Sequence, residues 1–443
     1  MSRVTETAVW AGRPVERVQR RTVRTLALCQ AVGALGLGTL PSVGILLAQQ
    51  VTHSDVWAGL GRTGSTLGAA LAAVPLASLA ASRGRRVALT TGWLVAAAGA
   101  LVLIAAAQLR NVPLLLVGLA MAGAGTAAQY QARFAATDLA APAQKARALS
   151  RVVWVGSIGL VLGPNLGTPG GWVARHLGLA TLGGTFVLTA SALATAGLAT
   201  WWLLRPDPLG LALQRSESLP GPIEPKLERE TAAQRAVRFA AAREAWQLAR
   251  ASPTLAVALT AIVTAQTVMV AVMTMAPVHM ADEGGSLTVV GLTISLHIVG
   301  MYWLAPLAGL VTDRGGATAG IVTGAALFAA SFLLAIADAS SMWVVAVSLV
   351  LLGLGWSFMS VAGAASLSDS IGGSRRTRLQ GFADGSANLV AALGAFLGGP
   401  LMAAIGYGGL ATVAWLAMLP LGFLLVRRRA TPGPGRPEPV ATG

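Results

Sequence analysis

Twelve apolar runs, each about as long as a helix that crosses a bilayer, dominate this 443-residue chain. They lie at roughly 25–48, 56–81, 87–109, 112–136, 148–172, 180–204, 254–281, 286–311, 317–338, 341–369, 379–403 and 407–427. About 20 apolar residues, rising ~1.5 Å each, cover the hydrocarbon core of a membrane. Inside lipid the backbone must satisfy its own hydrogen bonds, so runs of this length read as helices. The expected fold is an all-α membrane protein with twelve transmembrane helices. Charged residues make up only 11% of the chain, against about 25% in soluble domains. The basic N-terminus leads into a full-length run, so no cleavable signal peptide is expected.

The net charge is +15, and its placement gives it meaning. Of the 32 basic residues, 28 fall on one side of the expected topology. They occupy the N-terminal tail, the loops after the second, fourth, eighth and tenth runs, the central loop, and the C-terminal end. Arg110 and Arg175 fall on the other side, and Arg62 and Arg133 inside helix ends. The positive-inside rule then puts both termini in the cytoplasm. The excess is topological, aided by attraction to anionic membrane lipid, and it excludes nucleic acid as a partner. The lone Cys29 excludes an internal disulfide and a cysteine-based metal cluster. No G-x-x-x-x-G-K-[ST] run is present, which argues against ATP-driven pumping.

The runs divide six and six. Residues 1–205 form the first unit and 253–430 the second. Between them, 206–252 starts with five prolines and continues from Lys226 to Arg250 as an arginine-rich amphipathic helix suited to the membrane surface. The Pro- and Gly-rich tail, 431–443, reads as disordered. The halves echo each other. Ala77–Gly84 after the second run corresponds to Gly309–Gly316 after the eighth, offset by 232 residues, and Gly163-Pro164 to Gly398-Gly399-Pro400, offset by 235. Two features with nearly one offset argue for a duplicated six-helix unit, hence two pseudo-symmetric bundles.

With these features the chain resembles the major facilitator superfamily over almost its whole length. Gly309, Asp313, Arg314 and Gly316 match that superfamily's G-x-x-x-D-R-x-G motif, while the first-half copy has Ala77, Ala81 and Ser82 at the glycine, aspartate and arginine positions. The resemblance implies that these charges act as a conformational gate between helix ends. It also implies a single-chain, monomeric transporter that works by alternating access, not an enzyme. Gly163-Pro164-xx-Gly167 resembles a drug/proton antiporter motif, although the fourth run has Leu119 and Ala122 where such antiporters carry arginine and glutamine.

Ionisable groups within the runs are rare and mark function by default. His297 is the one placed near mid-membrane. Met269 and Met273 are four apart on the seventh run, and His297 and Met301 four apart on the eighth, so each pair shares a helix face. Met269 precedes Glu283 in the connecting turn by 14 residues and His297 follows it by 14, which sets them at one depth in a helical hairpin. Thioether and imidazole donors suit Cu(I), and the absence of a carboxylate cluster disfavours hard cations. Met275, His279 and Met280 could form an outer capture site. The two runs resemble those of the CcoA-like copper importers, a bacterial branch of the superfamily with MxxxM and HxxxM motifs. That resemblance implies Met269 and His297 as the essential pair, Met273 and Met301 in support, copper as cargo and no resident cofactor. The competing reading is a proton-coupled exporter of a drug or other small organic solute. It expects a cavity lined by aromatic and polar groups, with Gln129, Tyr130, Gln131, Asn165, Asn388, Trp154, Trp303 and Trp356 available, and methionines used for packing.

Overall fold

A computed structural model of the protein describes residues 15–54, 59–140, 145–217, 252–370 and 373–430, with Gln247 and Arg250. Every regular element among them is helical. The first half supplies α1 (Val15–Leu37), α2 (Ile45–Thr52), α3 (Leu60–Arg83), α4 (Arg85–Leu109), α5 (Val112–Ala135), α6 (Lys145–Leu162), α7 (Gly167–Leu177), α8 (Gly183–Leu203) and α9 (Pro208–Glu217). The second supplies α10 (Pro253–Asp282), α11 (Leu287–Tyr302), α12 (Ala305–Ala337), α13 (Met342–Ser370), α14 (Gly373–Leu416) and α15 (Leu419–Ala430).

Ten stretches of the described residues are long and apolar enough to cross a membrane. Two exceed one crossing: Leu287–Ala337 has 51 residues and Gly385–Arg427 has 43. As straight helices they would reach about 75 and 65 Å, against a hydrocarbon core of ~30 Å. Each is kinked at one glycine with non-helical backbone, Gly316 (φ 78°, ψ 164°) and Gly406 (φ 71°, ψ 177°). Large apolar side chains cover the outside, among them Leu71, Trp343 and Phe423. Such a surface suits lipid and would be a liability in water.

The buried apolar residues separate by half. One cluster draws its members from Val23 to Leu204. Another runs from Val257 to Leu421, with Ile45 as its buried member from the first half. Lipid removes most of the hydrophobic drive between helices, so close packing of small residues takes its place. A Cβ on Gly159 would overlap the Ala31 carbonyl oxygen, and one on Gly163 would come within 2.6 Å of the Gly38 Cα. These contacts seat α6 on α1. Gly163–Leu166 then forms a 3₁₀ turn between α6 and α7.

The loop between α3 and α4 carries the duplication. Gly84 has φ 91° and ψ 167°, nearly the conformation of Gly316, which lies 232 residues further on. Here a carboxylate from outside the motif holds the loop of the first half. The Asp207 carboxylate, from the start of the linker, accepts from the Arg86 backbone N–H at 2.8 Å and from those of Leu209 and Gly210 at 3.0 and 3.2 Å. One side chain thus caps both α4 and α9. Alongside, Arg85 Nε pairs with Asp138 Oδ2 at 2.9 Å, the side chains only 16% and 12% exposed. Arg85 Nη1 also donates to Gln131 Oε1 at 3.3 Å. Most of the expected amphipathic helix, from Lys226, and the tail from Thr431 lie outside the described residues.

Candidate substrate cavity

Between the halves lies a solvent-open cavity of ≈ 200 Å³. Its walls come almost wholly from the first half, with Tyr302 the contribution of the second. A break in the first crossing shapes one end. Pro41 lacks an N–H and cannot continue an α-helix, so Leu40–Gly44 forms a π turn between α1 and α2. The turn is held by Thr39, whose hydroxyl donates to the Gly36 carbonyl at 2.8 Å and lies 3.1 Å from the Thr189 hydroxyl. Leu40, Pro41, Arg62 and Ser65 line this end. Arg133, Val152 and Val153 line the other, towards the linker side of the protein.

The walls between carry polar and aromatic groups. Gln30 donates to the Gln129 carbonyl at 2.9 Å, and its own carbonyl oxygen is buried without a partner among the described residues. The Arg133 guanidinium lies over the Tyr130 ring, 4.6 Å from its centroid, and its buried Nε has no hydrogen-bond partner there. Arg62 and Arg133 both sit within electrostatic reach of the Tyr302 phenol. Neither arginine makes an ion pair among the described residues. Behind Tyr302, Trp356 meets it edge-on at 5.7 Å and donates through its indole N–H to Gln266 at 2.7 Å. Gln266 in turn contacts Asn388. Arg62 and Arg133, expected inside helix ends, both line the cavity, a placement that required the packing.

The side away from the linker is closed by contacts between the halves. Gln49 donates to Asp282 at 3.1 Å, Asn165 to Ser295 at 2.7 Å, and the hydroxyls of Thr168 and Thr288 lie 2.8 Å apart. Thr63 reaches the Ala392 carbonyl at 3.4 Å. Along the same α6–α11 seam, the Trp303 indole N–H donates to Ser157 at 3.2 Å and its ring stacks near Trp154, 6.2 Å between centroids. Of the polar residues singled out in sequence, Gln129 and Tyr130 line the cavity, Asn165 belongs to the closure, and Gln131 supports Arg85.

The methionine and histidine residues lie elsewhere. Met269, Met273 and Met301 are buried in the apolar cluster of the second half, and none lines the cavity. His297 is fully buried, its Nδ1 2.6 Å from the Leu349 carbonyl oxygen. That carbonyl can only accept, so Nδ1 carries the proton. Nε2 is left buried without a partner among the described residues. Met275 and Met280 are wholly buried rather than gathered at a mouth. His279 stacks on Tyr407 with ring centroids 4.5 Å apart and contacts the Ala339 carbonyl at 2.6 Å. Asp313 and Arg314 are exposed and make no ion pair among the described residues, and Gly309 has open space around it.

A multi-pass helical protein with a polar cavity closed on one side by contacts between its halves is a membrane transporter, not an enzyme. The chain belongs to the Major Facilitator Superfamily, whose family model matches residues 26–285 and 257–442. It is 36% identical to the uncharacterized MFS-type transporter YddS of Bacillus subtilis (strain 168), over 88% of this chain and 87% of that one. It is 28% identical to the riboflavin transporter RfnT of Brucella anthropi, over 92% and 94% of the two chains. Among solved structures, a bacterial homologue of the human lysosomal transporter Spinster, in an inward-facing and unoccupied conformation, matches with a TM-score of 0.66. That match covers 93% of this chain and 97% of the other at 15% identity, a likeness of fold.

Proposed function

We propose that the protein is a secondary transporter of a small organic solute, bound in the cavity between the halves and released by alternating access. The observation that carries this reading is the lining itself. Polar and aromatic side chains converge there, whereas the methionines pack in the second-half core. Counting Leu287–Ala337 and Gly385–Arg427 as two crossings each gives twelve, with both termini and the linker in the cytoplasm of a bacterial inner-membrane protein. The closure then lies on the outer face and the cavity opens inward, with Asp313 and Arg314 disengaged. The relationship to a riboflavin transporter adds ring-containing solutes to the class. Uptake or efflux of riboflavin and other aromatic solutes in oriented vesicles, with Tyr130→Ala and Ser157→Ala beside the wild type, tests the reading. Transport of an organic solute lost in Tyr130→Ala at equal expression supports it. Equal transport by both variants and wild type sinks the cavity as the binding site.

A second reading, import of Cu(I) past Met269, Met273, His297 and Met301, draws on the unpartnered Nε2 of His297 in the half that buries all three methionines. Against it, Arg62 lies within electrostatic reach of His297, and a guanidinium charge raises the energy of any cation nearby. Copper uptake abolished by both Met269→Ala and His297→Ala would reverse the order of the two readings.

A further inference from the structure

We infer that the solute is an organic anion, its ring held among the cavity's aromatic groups and its negative group taken up by Arg62 and Arg133. This rests on the cavity being the solute site. A guanidinium away from bulk water is costly unless a counter-charge or several acceptors meet it. Buried basic groups in transporters therefore ordinarily have carboxylates beside them. Among the described residues, three carboxylates near the first half are engaged elsewhere: Asp138 with Arg85, Asp207 with the backbone of two helices, and Asp282 with Gln49. Arg62 and Arg133 are left facing the cavity with no ion pair among the described residues. The Tyr130 ring supplies Arg133 with one face of π density, well short of a full counter-ion. Both guanidiniums act on the same phenol, Tyr302, so their fields add within one chamber.

The geometry gives the arginines different places on the path. Arg62 is at the closed end beside Pro41, and Arg133 lies towards the linker side with Val152 and Val153. Tyr130 and Tyr302 line the same cavity and supply the aromatic surface against which a ring would rest. An arginine fork binds a carboxylate or phosphate through paired N–H donors. A cation meets repulsion from both ends.

The test is binding to the purified full-length transporter in detergent. Benzoate, benzamide and benzylamine form one probe series, and phenylacetate, phenylacetamide and phenethylamine another, with phenyl phosphate added. The carboxylates or the phosphate are expected to bind at least about tenfold more tightly than the matching amides, as for a charge-assisted hydrogen bond, and the amines not at all. Arg62→Gln and Arg133→Gln are each expected to remove most of that preference, with an unchanged size-exclusion profile in detergent showing the variants folded. Arg62→Lys and Arg133→Lys should retain part of it. Amides binding as well as carboxylates, or no carboxylate or phosphate binding at all, overturns the inference. If amide binding persists and depends on Tyr130, the organic-solute reading survives that loss. If no organic probe binds but Cu(I) does, in a manner sensitive to Met269→Ala, the cavity reading fails with it.

Discussion

The side-chain amide of Asn165 donates to the hydroxyl of Ser295 at 2.7 Å, joining the two halves of the chain inside their closed seam. The Ser295 hydroxyl lies 2.5 Å from the Val161 carbonyl across the seam and 2.8 Å from the Gly291 carbonyl on its own helix, so its proton goes to a backbone oxygen and its lone pair receives Asn165. Ser295→Ala leaves the amide without that acceptor. The expected cost is about 1 kcal/mol, a roughly fivefold shift towards the opened seam. A cysteine introduced by Leu40→Cys in a Cys29→Ser background, probed with an impermeant maleimide from the closed side, should label several-fold faster in the Ser295→Ala variant. Unchanged labelling would mean that the seam is held without this bond.

The Arg85–Asp138 pair and the exposed Asp313 should respond very differently to alanine. Removing Arg85 breaks a mostly buried ion pair, which typically costs about 3 kcal/mol. Asp313→Ala removes an exposed charge that has no ion pair among the described residues and should stay within about 0.5 kcal/mol. Thermal unfolding in detergent should rank Arg85→Ala well below both Asp313→Ala and the wild type.

Glycines that look alike in sequence should separate by what stands beside them. A Cβ on Gly123 would overlap the Ser65 carbonyl oxygen, backbone against backbone, where α5 meets α3 at the cavity wall. Gly309 has nothing within 4 Å. Gly123→Ala is expected to lower both folded yield and solute binding. Gly309→Ala should be neutral or gain up to about 1 kcal/mol from helix propensity. Size-exclusion profiles after membrane extraction would show the contrast.

Gly84 and Gly316 share a backbone region that side chains avoid, at a cost of about 1–3 kcal/mol. Either changed to alanine should lose stability. Gly84→Ala should lose more, because its Cβ would also run into the Asp207 carboxylate, while Gly316 has open space. Equal losses would show that strain alone sets the effect.

Most of the helical layout was legible in the sequence, because a lipid-crossing run is a local signal that few other structures produce. The duplication was legible too, and the shared conformation of Gly84 and Gly316 is its physical trace. The cavity was not. Counting residues along the second run puts Arg62 near its outer end. In the fold Gly61 packs on Gly44 and Ile45, seven residues before α2 ends at Thr52, so Arg62 sits about 10 Å below that end. The methionine spacing was equally real, since four residues do share a face. Whether that face meets a cavity or a core is decided by neighbours far away in sequence, here Phe328 and Leu349 among others. The Asp207 cap was invisible for a similar reason, since its partners lie 121 residues earlier in the chain as well as beside it.

That carboxylate has a mechanical consequence. By gripping the start of α4 and the start of α9 at once, Asp207 makes the first turns of the linker travel with the first half as a rigid lever. Rocking of one half against the other is then felt at Pro208–Glu217 before it reaches the second half. A fluorophore on that short helix would register each turnover of the transporter, whatever the solute.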